Sequence, residues 1–289
     1  MPLLKYIIRE IRPYQWYKNG VIFVALIFAG KFMSPAHIFR SMIAFVLFCL
    51  LSGGVYIIND IVDIEEDRRH KIKKNRPIAS GKLSVKEGYV IALNLILISI
   101  SIGYLLSFRF FLSQIAYLLL NLFYTYVAKN HAIVDIIVIS LGLVIRAIAG
   151  ALAIDVRISP WLVNSTYLMA MLIALGKERY ERKYMEKPKK IRAAHRHYSV
   201  SFIEKLISIV SSALIISYML YTVLNDNRYM IITIPLVFAG IFRYLQIVFA
   251  GRFGERPEFI LRDRFTQIVM VLWIFTSMVL IKIGGINLH

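Results

Sequence analysis

Long apolar stretches separated by short polar ones set the pattern of this chain. The apolar runs cover residues 19–32, 39–58, 88–107, 110–128, 132–154, 161–175, 202–224, 230–250 and 265–283. Most approach the roughly 20 residues that an α-helix needs to cross a bilayer core; the first and sixth are shorter. The pattern predicts an all-α integral membrane protein with nine transmembrane helices, organised as a single domain over residues 1–289. No period of 20–50 residues repeats along it. Ahead of the first run, Lys5, Arg9 and Arg12 stand among apolar residues, and no small-residue cleavage pattern follows them. We read that segment as an interfacial helix rather than a signal peptide.

Composition agrees: 58% of residues are hydrophobic, where a soluble domain holds about 45–50%. The formal charge of +18 would suggest nucleic acid in a soluble chain, but in a membrane protein its distribution comes first. With the N-terminus inside, the basic segments 68–86, 177–196 and 252–264 fall in one compartment. The outer segments then hold Lys31, Arg40, Arg109, Arg157, Arg228 and Lys282. Lys and Arg collect in cytoplasmic loops, so this bias predicts a multi-pass membrane protein with its N-terminus and polar loops cytoplasmic. No recognition helix or aromatic-basic strand motif lies outside the apolar runs, and nucleic-acid binding is excluded on that ground. The single Cys49 rules out an internal disulfide and reads as a small core residue.

The densest chemistry follows the second run: Asn59-Asp60-Ile61-Val62-Asp63-Ile64-Glu65-Glu66-Asp67. On one continuous helix Asp60, Asp63 and Asp67 fall within roughly 60° of each other and form an acidic stripe about 10 Å long. Asn59 lies beside it. Hard oxygen ligands in this arrangement suit Mg2+, which commonly stays shared with substrate phosphates. Such an ion can neutralise a diphosphate and make it a better leaving group.

Cations surround the acids in sequence. Arg76, ahead of Pro77, and Lys177, Arg179 and Arg182, with Tyr180 among them, are candidates for phosphate contacts. The further run 187–196 reads as a solvated basic face. Lys18, beside Trp16 and Tyr17, suits either a lipid phosphate or an interface anchor. Arg146 lies inside the fifth run, where a charge is costly; substrate contact and structural pairing, with Asp155 as a partner, both remain open. Arg243 lies near the inner end of the eighth run, placed to face the same chemistry. A transporter would instead carry polar groups at the bilayer midplane on several spans.

The acidic segment resembles the first aspartate-rich motif, N-D-x-x-D-x-x-x-D, of the UbiA-type intramembrane prenyltransferase superfamily, and the likeness extends over essentially the whole chain. The resemblance implies a helical bundle around a lateral, lipid-open cavity with cytoplasmic polar loops, and Mg2+ held by Asp60, Asp63, Asp67 and Asn59. One departure stands out. The superfamily's second motif, D-x-x-x-D, belongs in the loop after the sixth span, yet residues 176–201 contain no aspartate. That departure is similar to the decaprenyl-phosphate phosphoribosyltransferase branch of the superfamily. So are R-P-x-Q-W-x-K-N over 12–19, R-P-I-A-S-G over 76–81, R-A-I-A-G over 146–150 and P-E-F-I-L-R-D-R over 257–264. The branch resemblance implies transfer of 5-phosphoribosyl from phosphoribosyl diphosphate to a polyprenyl phosphate, feeding arabinan precursors for the cell wall. Lys18, Arg76, Arg146, Lys177, Arg179 and Tyr180 would then contact substrate. The alternative is prenyl transfer from a prenyl diphosphate to an aromatic or other acceptor. Homo-oligomerisation stays open, because lipid tails remove the contrast between lipid-facing and partner-facing surfaces.

Overall fold

The computed structural model describes residues 2–131, 133–157, 159–184, 199–224, 227–251 and 257–286, and every regular element among them is helical. The α-helices are α1 (Pro2–Ile11), α2 (Phe23–Phe28), α3 (Pro35–Val62), α4 (Ile64–Arg69), α5 (Val85–Leu106), α6 (Phe108–Tyr126), α7 (Val134–Ala153), α8 (Pro160–Tyr184), α9 (Val200–Leu224), α10 (Ile234–Phe249) and α11 (Arg264–Ile286).

Among the described residues seven helical segments, not nine, are long and apolar enough to cross a membrane. They are Pro35–Val62, Val85–Leu106, Phe108–Asn130, Val134–Ala153, Val200–Leu224, Arg228–Phe249 and Arg264–Gly284. The two expected spans that fall short are the short runs. Residues 19–32 divide between the 3-10 helix Pro13–Ile22 and the six-residue α2, and the chain then turns at Gly30 with φ 68°. The sixth run is the first part of α8, which continues without a break through Lys177, Arg179 and Arg182 to Tyr184. The loop expected to open at Gly176 is therefore helix at its start. The basic run 187–196 lies outside the described residues.

The chain divides into two compact units. The first holds residues 1–26, 31–127 and 145–157. Its central helix is α3, with 61% of its most apolar stretch buried against 22% for α5. Pro35 at its first turn has a preset φ and no N–H to orphan. Leu47, Phe48, Leu51 and Val55 of α3 pack with Ile96, Phe110, Tyr117 and Ala149. Small residues let neighbours close in: a Cβ on Gly53 would meet Ile11 of α1, and one on Gly54 would meet Ile96 of α5. This packing brings the end of α1 alongside α3.

A capping box, Ser84 with Glu87, opens α5. A single extended residue, Ser107, joins α5 to α6. Inside this hairpin Gln114 Nε2 donates to Ser99 Oγ at 2.8 Å, and Ser99 Oγ donates to the Leu47 carbonyl at 2.7 Å. These bonds tie three helices where lipid supplies no polar partner. Gly103 faces the Gln114 amide, and an added Cβ would overlap it. Gly103→Ala is expected to destabilise the protein by roughly 1–3 kcal/mol through overpacking, seen as a lower melting temperature in detergent.

The second unit holds residues 27–30, 128–144 and 158–289. Leu172 and Leu175 of α8 pack with Ile203, Ile207, Val210 and Leu214 of α9 and with Ile241, Tyr244 and Val248 of α10. The Tyr244 hydroxyl donates to the Leu172 carbonyl at 2.6 Å.

Candidate active site

The sequence expectation of one continuous acidic helix meets a correction here. Helix α3 ends at Val62, and Asp63 is at once its C-cap and the N-cap of α4, with φ −91° and ψ 10°. The Asp67 amide donates to the Asp63 carbonyl at 2.8 Å, so a new helix starts across the break. Asp60 sits in the last turn of α3 and Asp67 in α4, and both are buried.

Their convergence comes from a residue farther along. After the 3-10 turn Lys73–Asn75, Arg76 is extended (φ −64°, ψ 143°), as the residue before a proline tends to be. Its Nη1 lies 2.8 Å from Asp60 Oδ1 and 2.5 Å from Asp67 Oδ2. Lys73 Nζ adds a longer contact to Asp67 Oδ1 at 4.0 Å.

Two participants escaped the sequence reading of the site. Arg12 Nη2 donates to both Asp60 carboxylate oxygens, and its guanidinium lies 5.3 Å from the Tyr56 ring centroid. Arg12 has φ 56°, a left-handed conformation that costs an L-residue about 1–2 kcal/mol; the adjacent Pro13 also keeps it out of the α region. Glu10 is 1% exposed and accepts from the Ile78 amide at 2.9 Å. In sequence Arg12 is one of several basic residues of the N-terminal segment and the first residue of a motif, with nothing to set it beside Asp60. The available signal was Glu10 itself, an acid in an otherwise basic, apolar segment.

Burial first, and the charge of Asp60 second, push the Glu10 carboxyl up from 4.5 to about 7. Burial likewise raises Asp67, outweighing the opposing charges of Arg76 and Lys73. Between about pH 4.5 and 7 the folded chain keeps the Glu10 proton and the unfolded chain has lost it. The folded state thus binds more protons in that window, so this contribution to stability falls as pH rises through it and levels off above it. Glu10→Gln is expected to flatten this part of a melting-temperature profile measured from pH 4 to 8 in detergent.

The other expected residues take individual places. Asn59 Oδ1 accepts from the Thr125 hydroxyl of α6. Lys18 Nζ donates to Gln15 Oε1 at 3.1 Å. Arg146 is buried; its Nε donates to Asn19 Oδ1 at 2.7 Å and its Nη2 to the Tyr117 hydroxyl at 2.6 Å. Asp155, considered as its partner, is instead an exposed residue 3.4 Å from Arg109.

In the second unit, Lys177 Nζ is 3.4 Å from Glu181 Oε1, and the Tyr180 ring lies tilted against that of Tyr184 with centroids 5.3 Å apart. Arg179, expected among the phosphate contacts, is 2% exposed. Its Nε and Nη2 donate to Glu204 at 2.8 and 2.7 Å and its Nη1 to the Val248 carbonyl at 2.8 Å. The fork is consumed in joining α8 to α9 and α10. Arg243 is likewise committed, donating to Asp263 at 3.1 and 2.6 Å, while Asp263 caps α11 through the Thr266 amide.

A divalent ion implied by the acidic motif can be tested against these residues. Among the described residues no three His, Cys, Asp or Glu side chains are gathered tightly enough to hold a metal. Two hard carboxylates, Asp60 and Asp67, do converge on one point, and that point carries the cationic nitrogen of Arg76. In donor type and sign the pair fits a hard cation.

Helices long and apolar enough to cross a membrane, with carboxylates and arginines drawn together at the end of one of them, define a polytopic helical protein with a charged cluster where α3 ends. The chain belongs to the UbiA prenyltransferase family, which matches residues 20–260. It is 31% identical over 292 residues to decaprenyl-phosphate phosphoribosyltransferase of Mycolicibacterium smegmatis, covering 95% of this chain and 92% of that one. The enzyme of the same name from Mycobacterium tuberculosis is 30% identical, with 93% and 92% covered. A UbiA homologue from Archaeoglobus fulgidus, solved bound to GPP and Mg2+, superposes with a TM-score of 0.74 at 18% identity over 96% of this chain and 99% of that one.

Proposed function

We propose that this chain transfers a 5-phosphoribosyl group from phosphoribosyl diphosphate to a polyprenyl phosphate at the cytoplasmic leaflet, releasing diphosphate. The supporting observation is the similarity, across nearly the whole chain, to enzymes named for acting on decaprenyl phosphate. The carboxylate–arginine cluster of the first unit adds a chemical rationale.

In this reading the donor's diphosphate binds against Asp60, Asp63 and Asp67 through Mg2+, with Arg76 and Arg12 contacting its oxygens. Bound there, the ion would neutralise charge on the departing diphosphate. The bond from the ribose anomeric carbon to the diphosphate oxygen breaks, and a bond from that carbon to an oxygen of the lipid phosphate forms. The lipid phosphate is already ionised, so the attacking oxygen needs no general base. Attack opposite the leaving group inverts the anomeric carbon. Lys18 and Lys177 carry over as candidates for the remaining phosphates. Arg179 and Arg146 are assigned instead to holding their own units together, Tyr180 to packing, and Asn59 to orienting the end of α3 through Thr125.

The test is transfer of label from ribose-labelled phosphoribosyl diphosphate to lipid by purified protein with polyprenyl phosphate and Mg2+. Metal-dependent appearance of an acid-labile labelled lipid is the expected result. A second reading, prenyl transfer to an aromatic acceptor, draws on the neighbour solved with GPP; no ribose label in lipid together with turnover of a prenyl diphosphate would select it.

A further inference from the structure

The point between Asp60 and Asp67 is filled by the chain's own cation. Arg76 Nη1 is 2.8 Å from one carboxylate and 2.5 Å from the other, while Arg12 holds both oxygens of Asp60. A magnesium ion on those same oxygens would bind them at about 2.0–2.1 Å. It would overlap the guanidinium nitrogen, and the two positive groups would repel at close range in a buried site. Both cannot occupy the point together.

A diphosphate removes the conflict, because its oxygens accept the planar guanidinium fork as readily as a carboxylate does. Arg76 is placed to make that exchange. Its backbone is anchored, with the Ser80 amide donating to its carbonyl at 2.8 Å, while its side chain is 25% exposed and reaches the site from the solvent side. Resting on the donor site described above, we propose that Arg76, assisted by Arg12, is a latch. It holds the site against a free divalent ion and passes from the carboxylates to the diphosphate when ion and diphosphate arrive together. Metal and diphosphate binding are then strongly coupled, and the coupling is reciprocal.

Equilibrium dialysis of the full chain in detergent tests this, with Mn2+ and radiolabelled inorganic diphosphate counted on both sides so that their complex in solution cancels. The expected result for the native chain is weak binding of Mn2+ alone, tightened by a factor on the order of 10–100 when diphosphate is present. Arg76→Gln should bind Mn2+ alone about tenfold more tightly than the native chain and show a smaller gain with diphosphate. Asp60→Asn should lose Mn2+ in both conditions.

Native chain that binds Mn2+ equally well with and without diphosphate overturns the latch without recourse to any variant. So does Arg76→Gln that binds Mn2+ no more tightly than native while Asp60→Asn has lost it; the donor site then survives and the latch alone fails. Equal Mn2+ binding by the native chain and Asp60→Asn removes the metal site at Asp60, and the latch with it.

Discussion

Asp60→Asn is expected to lower Mg2+-dependent phosphoribosyl transfer about 10³-fold while leaving a folded protein. Asn keeps the size and one acceptor oxygen but removes the charge. Asp60 is the residue on which Arg12 and Arg76 both converge, so its charge sets the position of both guanidinium groups and, in the proposed function, of the ion. Loss of a metal's charge stabilisation costs several kcal/mol in the transition state, and each 1.36 kcal/mol is about tenfold in rate. The fold should tolerate the change, because Arg12 still lies against the Tyr56 ring and Arg76 keeps Asp67. The check is turnover measured beside a melting curve. Near-normal turnover in a folded Asp60→Asn protein would remove Asp60 from the site.

The second large effect concerns stability. Arg179→Ala should destabilise the protein by about 3 kcal/mol, the lower end of what breaking a buried ion pair costs. The lower end applies because Glu204 is 33% exposed at its side chain and can be rehydrated. The Val248 carbonyl loses its donor from Arg179, and the guanidinium contact to Phe249, 4.6 Å from the ring centroid, disappears. Lys177→Ala should behave in the opposite way: its side chain is 47% exposed, so stability changes by no more than about 0.5 kcal/mol while transfer falls. Melting temperature and turnover measured on both variants separate the roles. A native-like melting curve for Arg179→Ala would show that the buried fork does not hold α8 in place.

Helix existence was readable because a membrane span is a local property. About 20 apolar residues satisfy their own backbone in lipid whatever their neighbours are, and α3, α5, α6, α7, α9, α10 and α11 stand where the runs predict them. Where the runs were short, at 19–32 and 161–175, length alone did not decide the outcome. The chain there became a 3-10 helix with a short α2, and the front of a longer helix. Asp60 and Asp67, which the structure brings to Arg76, stand out in sequence as acids at the end of an apolar run, while Asp63 between them marks the helix break.

What the order of residues could not rank was the cations. Arg76, Lys177 and Arg179 look alike in sequence, each a basic residue near the end of a span. Packing separates them: Arg76 swings onto Asp60 and Asp67, Lys177 stays partly in solvent, and Arg179 turns inward onto Glu204. Glu10 and Arg12 reach the site only because α1 lies close to Gly53 of α3, a contact between residues more than forty positions apart. The amino-acid sequence by itself determined that the chain is a helical membrane protein with an acidic centre after its second apolar run, for these depend on composition and local spacing. The tertiary structure alone decided where the acidic helix breaks, which cations meet which carboxylates, and which arginines are spent on the fold, because each depends on the direction a side chain takes once distant helices have packed.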